Sequence, residues 1–338
     1  MQTKVVKIDS ANIDDAAMKE ACDLIRAGEL VAFPTETVYG LGADALHPEA
    51  SKKIYAAKGR PSDNPLIVHI SKFEDLVSIA REVPPQAKKL ADAFWPGPLT
   101  MIVWKNDRVP YETTGGMDTV AIRMPKHPVA LRLIEGSGCL IAAPSANTSG
   151  KPSPTEASHV ALDMDGRIPM ILDGGPVGIG IESTIVDLSE ETPMILRPGY
   201  ITQEMLQEVL GEKVCMDPGI IASDSTRKPK APGMKYKHYA PKADLVLVEG
   251  ETDKEQLGQK VGVIATDETF LRYEADHVVS IGAREDEDAI ARHLYKILRE
   301  FDDWNVDAIY SESFATPRIG QAIMNRLLKA AGHQVIPV

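Results

Sequence analysis

The chain has 338 residues, 43% hydrophobic and 25% charged, and its 37 Lys and Arg against 49 Asp and Glu leave a net charge of −12. At about 150 residues per domain this length suggests two domains with full cores, and the composition excludes a disordered, collagen-like or coiled-coil chain. The acidic balance disfavours non-specific binding to nucleic acid or to an anionic membrane, since both polyanions reward a basic face.

In chain order, apolar strand-like runs at 4–8, 30–33, 66–70, 99–104, 120–123, 140–143, 171–172, 184–188 and 194–196 alternate with helical patterns. A helix is predicted over 13–27, where Ala17, Ala21, Leu24 and Ile25 share one face and Gly28 supplies the stop. Another begins with Pro85 in its first turn and ends at Pro96-Gly97. Strands this numerous and this closely spaced do not fit a simple βαβ repeat, so an α/β domain with a large, twisted, mixed sheet is expected.

Residues 227–243 hold Arg227, Lys228, Lys230, Lys235, Lys237 and Lys242 without a single acid. Pro229, Pro232, Gly233 and Pro241 interrupt regular structure there, which predicts an extended basic connector. Beyond it come a strand at 245–248, a helix from Thr252, strands at 261–265 and 278–281, a long helix over 287–301, a strand at 308–310 and a last helix to Ala330. That order predicts a small Rossmann-like layer. The expected division is 1–212, a connector at 213–243, and 244–338.

Cys22, Cys139 and Cys215 lie far apart and form no CxxC pair, so neither a zinc ribbon nor a disulfide framework is available and a reducing compartment fits. No apolar run approaches the ~18 residues that cross a bilayer. Asp9, Asp14 and Asp15 stand where a secretion signal needs apolar residues, so a cytoplasmic chain is expected. Residues 178–183 carry Ser183 where the dinucleotide fingerprint needs its third glycine, and GxxxxGK[ST] is absent, so neither a nicotinamide site nor a P-loop is supported.

Four polar clusters stand where strands or helices give way to loops: 34–42, 58–65, 143–153, and Ser183-Thr184 with Arg197-Pro198-Gly199. Lys58 and Arg60, separated by Gly59, are spaced to converge on one phosphate. Singly, each cluster has an ordinary reading. Lys-Gly-Arg after a helix reads as a solvated end, His69 as a hydrogen-bonded core residue, Ser145 and Asn147 as turn formers, and Tyr39, Tyr236 and Tyr239 as packing residues.

Together they resemble the YrdC-type L-threonylcarbamoyladenylate synthase family in its two-domain form. The stretches PTETVYGLG, NPLIVHI, WPGPLT, AIRMP, APSAN, ESTIVD and ILRPG stand in the family's order, and Lys-x-Arg with Ser-x-Asn is here Lys58, Arg60, Ser145 and Asn147. The connector also resembles that of the long members, with Ala231 where Ser is usual. The resemblance implies a YrdC-like catalytic domain followed by a small Rossmann-like α/β domain. It also implies condensation of L-threonine, bicarbonate and ATP into threonylcarbamoyl-AMP and pyrophosphate.

By matching position it implies a catalytic tetrad of Lys58, Arg60, Ser145 and Asn147. ATP would be held by Arg60, Asn64, Thr119, Ser145, Ser153, Arg197 and Tyr236, and threonine by Thr37, His69, Arg123, Ala143 and Ser183. A Mg²⁺ ion carried by the phosphates is expected, with no protein ligand named. The product would pass to a separate transferase that modifies tRNA beside the anticodon, with no stable tRNA binding and no membrane association. The basic connector is a candidate lid over ATP. Two other readings are an RNA-binding module, disfavoured by the net charge, and a carbamoyltransferase using carbamoyl phosphate, disfavoured by the lack of cysteine pairs.

Overall fold

The computed structural model describes residues 2–220, 238–249, 260–314 and 317–337. Asp14 starts the first helix: its carboxylate accepts the Ala17 N–H at 2.7 Å, and α1 (Asp15–Arg26) buries Met18, Ala21, Cys22 and Ile25. Gly28, at φ +72°, then turns the chain toward β2.

Eleven strands form one mixed sheet: β1 (Lys4–Lys7), β2 (Val31–Phe33), β3 (Gly40–Asp44), β4 (Ile67–His69), β5 (Leu99–Trp104), β6 (Thr119–Arg123), β7 (Ile141–Ala142), β8 (Met170–Asp173), β9 (Thr184–Asp187), β10 (Met194–Arg197) and β11 (Cys215–Met216). Their order is β1-β8-β2-β3-β7-β4-β6-β5-β9-β10-β11. The helices between them are α2 (Pro48–Lys58), α3 (Phe73–Ile79), α4 (Pro85–Phe94), α5 (Tyr111–Thr114), α6 (Pro128–Ser137), α7 (Ala157–Met164) and α8 (Gln203–Leu210). Val31 and Phe33 join a cluster with Ile25 and Leu133, while Ala32 joins the larger one around Leu41, Ile54, Val68 and Leu90. That is the alternation of a strand buried on both faces.

Two strands depart from the expected elements. β3 begins within the polar stretch 34–42, expected as a loop after the second strand, and runs on to Asp44. A Cβ on Gly42 would stand 2.7 Å from Phe33 Cε1 and 2.8 Å from Ile141 Cγ2, so glycine is what lets β3 lie between β2 and β7. β11 pairs in parallel with β10 and carries the large sheet into the stretch expected to be connector. Two residues are too few to leave a pattern in the sequence.

The second sheet is entirely parallel: β12 (Asp244–Glu249), β13 (Val261–Ala265), β14 (His277–Ser280), β15 (Ala308–Glu312) and β16 (Val335–Pro337), in the order β14-β13-β15-β12-β16. The short β16 had no counterpart among the expected strands. α9 (Glu287–Trp304) is capped by Asp286, which accepts the Ala289 N–H at 2.9 Å, and α10 (Gly320–Ala330) follows. The helix expected from Thr252 begins outside the described residues. Val38 and Ile181 share one buried cluster with Ile290, Leu294, Tyr295 and Ile323, so α9 and α10 pack on loops of the first unit. No helix among the described residues is long and apolar enough to cross a membrane.

Candidate active site

Gly59, at φ +62°, ends α2 in a left-handed cap and so sends Lys58 and Arg60 toward the sheet instead of along a helix surface. Lys58 is 3% exposed, and its ammonium donates to the Ser145 carbonyl, to Asn147 O at 2.5 Å and toward Asn147 Oδ1 at 3.5 Å. Burial, aided by the charge of Arg60, pushes its pKa well below the usual lysine range. The Asn147 amide donates to Thr148 O and Lys151 O at 2.8 and 3.0 Å, which fixes the loop from the inside. Arg60 uses Nε and Nη2 on Asn64 O and Pro65 O, and its Nη1 makes no hydrogen bond among the described residues. Burial lowers its pKa to about 10, so it stays charged at neutral pH.

On the adjoining wall, register pairs His69 with Arg123 at the ends of β4 and β6. Arg123 Nη1 donates to Thr37 Oγ1 at 2.9 Å and Nε to Gly97 O at 3.3 Å. Its Nη2 forms an ion pair with Glu36 Oε1 at 2.7 Å, without the alignment of a hydrogen bond. Burial and the neighbouring Arg123 charge push His69 down to about 3, so the imidazole facing the pocket is neutral. Ser183 Oγ shares a 2.8 Å hydrogen bond with Thr100 Oγ1, and Arg197 donates to Ser183 O and Oγ at 3.0 and 3.1 Å.

One pocket, about 520 Å³ with its open mouth, is lined by Arg60, His69, Arg123, Ala143, Ser145, Ser183 and Arg197 among the expected site residues. Lys58 and Asn147 border it through Ser145, Thr37 through Arg123, and Ser153 through a hydrogen bond to the pocket residue Glu182. Asn64 touches it by its backbone carbonyl on Arg60. Thr119 is not among the lining residues: it opens β6, four residues from Arg123, roughly 13 Å away along a strand. Tyr236 lies outside the described residues.

Glu182 and His238, neither given a role from the sequence, also line the pocket, as does Tyr239, read there as a packing residue. The His-Tyr pair near the end of the expected connector was the available signal for two of them. Glu182 left none, because an acid before a strand is ordinary. Burial alone would raise its pKa, but Arg326, Arg197 and the Ser153 hydroxyl hold it down to about 2, so it is an anion.

Burial holds His69 and His238 at about 3 and His159 at about 4. Each binds a proton near pH 6.5 when unfolded but not when folded, so their stabilisation is complete above that pH and is lost as pH falls toward 3 to 4. The loss is about 1.4 kcal/mol per histidine per pH unit. Melting temperature should therefore decline steadily from pH 6.5 to pH 4; a flat profile over that range would contradict buried neutral imidazoles.

The Sua5/YciO/YrdC family model, described as telomere recombination, matches residues 23–199, and that of the threonylcarbamoyl-AMP synthase C-terminal domain matches residues 201–332. A Bacillus subtilis protein named threonylcarbamoyl-AMP synthase is 51% identical over 337 residues, covering 97% of this chain and 96% of its own. A Schizosaccharomyces pombe protein of the same name is 39% identical over 365 residues, covering 94% and 88%. The crystal structure of Pyrococcus abyssi Sua5 complexed with L-threonine aligns with a TM-score of 0.93 at 48% identity, over 99% of this chain and 100% of that one. With both domains matched in sequence and the whole architecture matched in space, the chain belongs to the threonylcarbamoyl-AMP synthase family, in its two-domain form.

Proposed function

We propose that this chain condenses L-threonine, bicarbonate and ATP into threonylcarbamoyl-AMP and pyrophosphate. The observation that carries the reading is the closure of Lys58 on the Ser145–Asn147 loop, which gathers two cations, a hydroxyl and an amide beside the Arg123–Ser183 wall. Bicarbonate and the threonine amine form a C–N bond with loss of water, giving a carbamate. Its oxygen attacks the α-phosphorus in line; a new P–O bond forms and the bond to pyrophosphate breaks. The protein's work is to position these reactants and to stabilise phosphoryl charge, and no protein nucleophile is required. Arg60 offers a planar fork of donors to the phosphates and Lys58 a compact charge. Arg123 takes the amino-acid carboxylate, with neutral His69 beside it adding no competing charge. Ser153, Asn64, Arg197, Thr119 and Tyr236 are assigned to the nucleotide, and Thr37, Ala143 and Ser183 to threonine.

Mg²⁺ enters as the counter-ion of ATP. The pocket offers it no resident seat: Glu182, the acid among the lining residues, engages Arg326, Tyr295 and Ser153 with both oxygens, and no step is derived through the metal. The basic connector closes over ATP as a lid; residues 221–237, including Tyr236, lie outside the described residues, so this rests on composition. The product is handed in the cytoplasm, where unpaired thiols persist, to a separate transferase acting on tRNA.

The test is to incubate the protein with ATP, Mg²⁺, bicarbonate and each amino acid in turn and identify nucleotide products by mass. Threonine should give pyrophosphate and the threonylcarbamoyl adduct of AMP. ADP with orthophosphate, or turnover indifferent to threonine, would overturn the proposal. ADP-free consumption of carbamoyl phosphate would favour the carbamoyltransferase reading instead.

A further inference from the structure

Arg326, on α10 of the C-terminal domain, has a fully buried side chain and touches three separate segments of the pocket wall. Its Nε donates to Glu182 Oε2 at 2.9 Å, its Nη2 to the Glu182 carbonyl at 3.3 Å, and its Nη1 to the Pro198 carbonyl at 2.9 Å. The guanidinium lies 5.7 Å from the centre of the Tyr239 ring. Tyr295, from α9, donates its hydroxyl to the same Glu182 carboxylate at 2.9 and 3.1 Å, and its ring stands 5.3 Å from that of Tyr239. The remaining donor on Glu182 is the Ser153 hydroxyl. A Cβ on Gly180 would stand 2.4 Å from Arg292 Cα, so the backbone leading to Glu182 is pressed directly on α9.

We propose that Arg326 is a positioning residue of the active site, acting through Glu182, Pro198 and Tyr239 to hold Ser153 and Arg197 in register for the nucleotide. This rests on the assignment of Ser153 and Arg197 to ATP made above. A buried ion pair adds little net stability over an apolar replacement, so its placement here, joining two domains at the back of a pocket, is explained by geometry. The fork matters: a guanidinium reaches a carboxylate and two carbonyls in fixed directions, whereas a lysine ammonium is a point charge on a flexible stem. A shift of about 1 Å in positioned groups costs roughly 100-fold in rate. The helices α9 and α10, by this account, contribute to the reaction without lining the pocket themselves.

The experiment measures ATP and threonine affinity separately by titration calorimetry, together with steady-state KM and kcat and thermal melting, for wild type, Arg326→Lys and Tyr295→Phe. Tyr295→Phe removes one donor and leaves the ion pair in place, so it answers the question even where Arg326→Lys does not fold. Arg326→Lys should weaken ATP binding and raise its KM at least about tenfold, and Tyr295→Phe about threefold, with threonine affinity moving less than either. Variants that melt lower yet bind ATP and turn over as wild type does would reduce the cluster to a structural clamp and overturn the inference alone. A wild type that binds no ATP would overturn the nucleotide assignment and the inference with it.

Discussion

Arg60→Ala is expected to lower turnover at least tenfold, and Asn147→Ala to do the same, with melting temperature nearly unchanged. The Arg60 guanidinium spends Nε and Nη2 on the carbonyls of Asn64 and Pro65, which holds the fork in place, and Nη1 has no hydrogen bond among the described residues and is the donor proposed for the phosphates. A hydrogen bond to a charged group is worth about 1.5–3 kcal/mol, and each 1.4 kcal/mol lost from the transition state is about tenfold in rate. Asn147 acts on the other cation, since its carbonyl and Oδ1 both face Lys58 Nζ. Arg60→Lys should recover part of the activity, because it restores charge without the fork. Pyrophosphate release and thermal melting, measured side by side, make the check. If melting collapses along with activity, Arg60 serves to hold the 63–65 loop and its catalytic assignment fails.

Asp163→Ala should be the most destabilising single change at the junction of the two units, by about 3–5 kcal/mol, or roughly 10 °C in melting temperature. The Asp163 side chain is 0% exposed and meets Arg299 of α9 at 2.8 Å and Lys151 at 2.9 Å. Arg299 also donates to Pro152 O at 2.6 Å, and Asp163 accepts the Thr148 N–H at 3.3 Å. Removing the carboxylate leaves the Arg299 charge buried and without its counter-ion, and frees both ends of the 148–152 loop that follows Asn147. Activity should therefore fall together with stability. An Asp163→Leu/Arg299→Leu double variant removes both charges and should melt closer to wild type than Asp163→Ala does. A double-variant loss equal to the sum of the losses of the two single variants, with Arg299→Leu measured alongside, would show that the two side chains are not coupled.

Lys58, Arg60, Ser145 and Asn147 were picked out by the order of the motifs around them, and what local chemistry added was their placement at element ends. Gly59 must end a helix whatever surrounds it, and Ser145-Ala-Asn147 directly after an apolar run must be a strand-to-loop corner. The main strands were legible locally: 99–104 and 261–265 are continuous apolar runs of strand length, and both appear with those limits. β3 was hidden because what makes Gly40–Asp44 a strand is the Phe33 ring lying where a side chain would be, a fact that exists only once β2 and β7 have paired around it.

The C-terminal contribution was hidden more completely. Tyr295 and Arg299 are one helical turn apart on α9, a spacing that reads as an ordinary amphipathic face. Arg326 reads as a solvated charge near a helix end. What buries all three is the docking of α9 and α10 on α7 and on a loop more than a hundred residues earlier in the chain, where Asp163 and Glu182 await a cation. The sequence by itself determined which segments fold, because caps, turns and apolar runs act within a few residues, and its ordered motifs taken together carried the resemblance that pointed to the first domain's chemistry. Only the tertiary structure decided that Glu182 is an anion held between Arg326, Tyr295 and Ser153, because burial and charge pairing belong to the space between two domains and leave no mark on either one's local pattern.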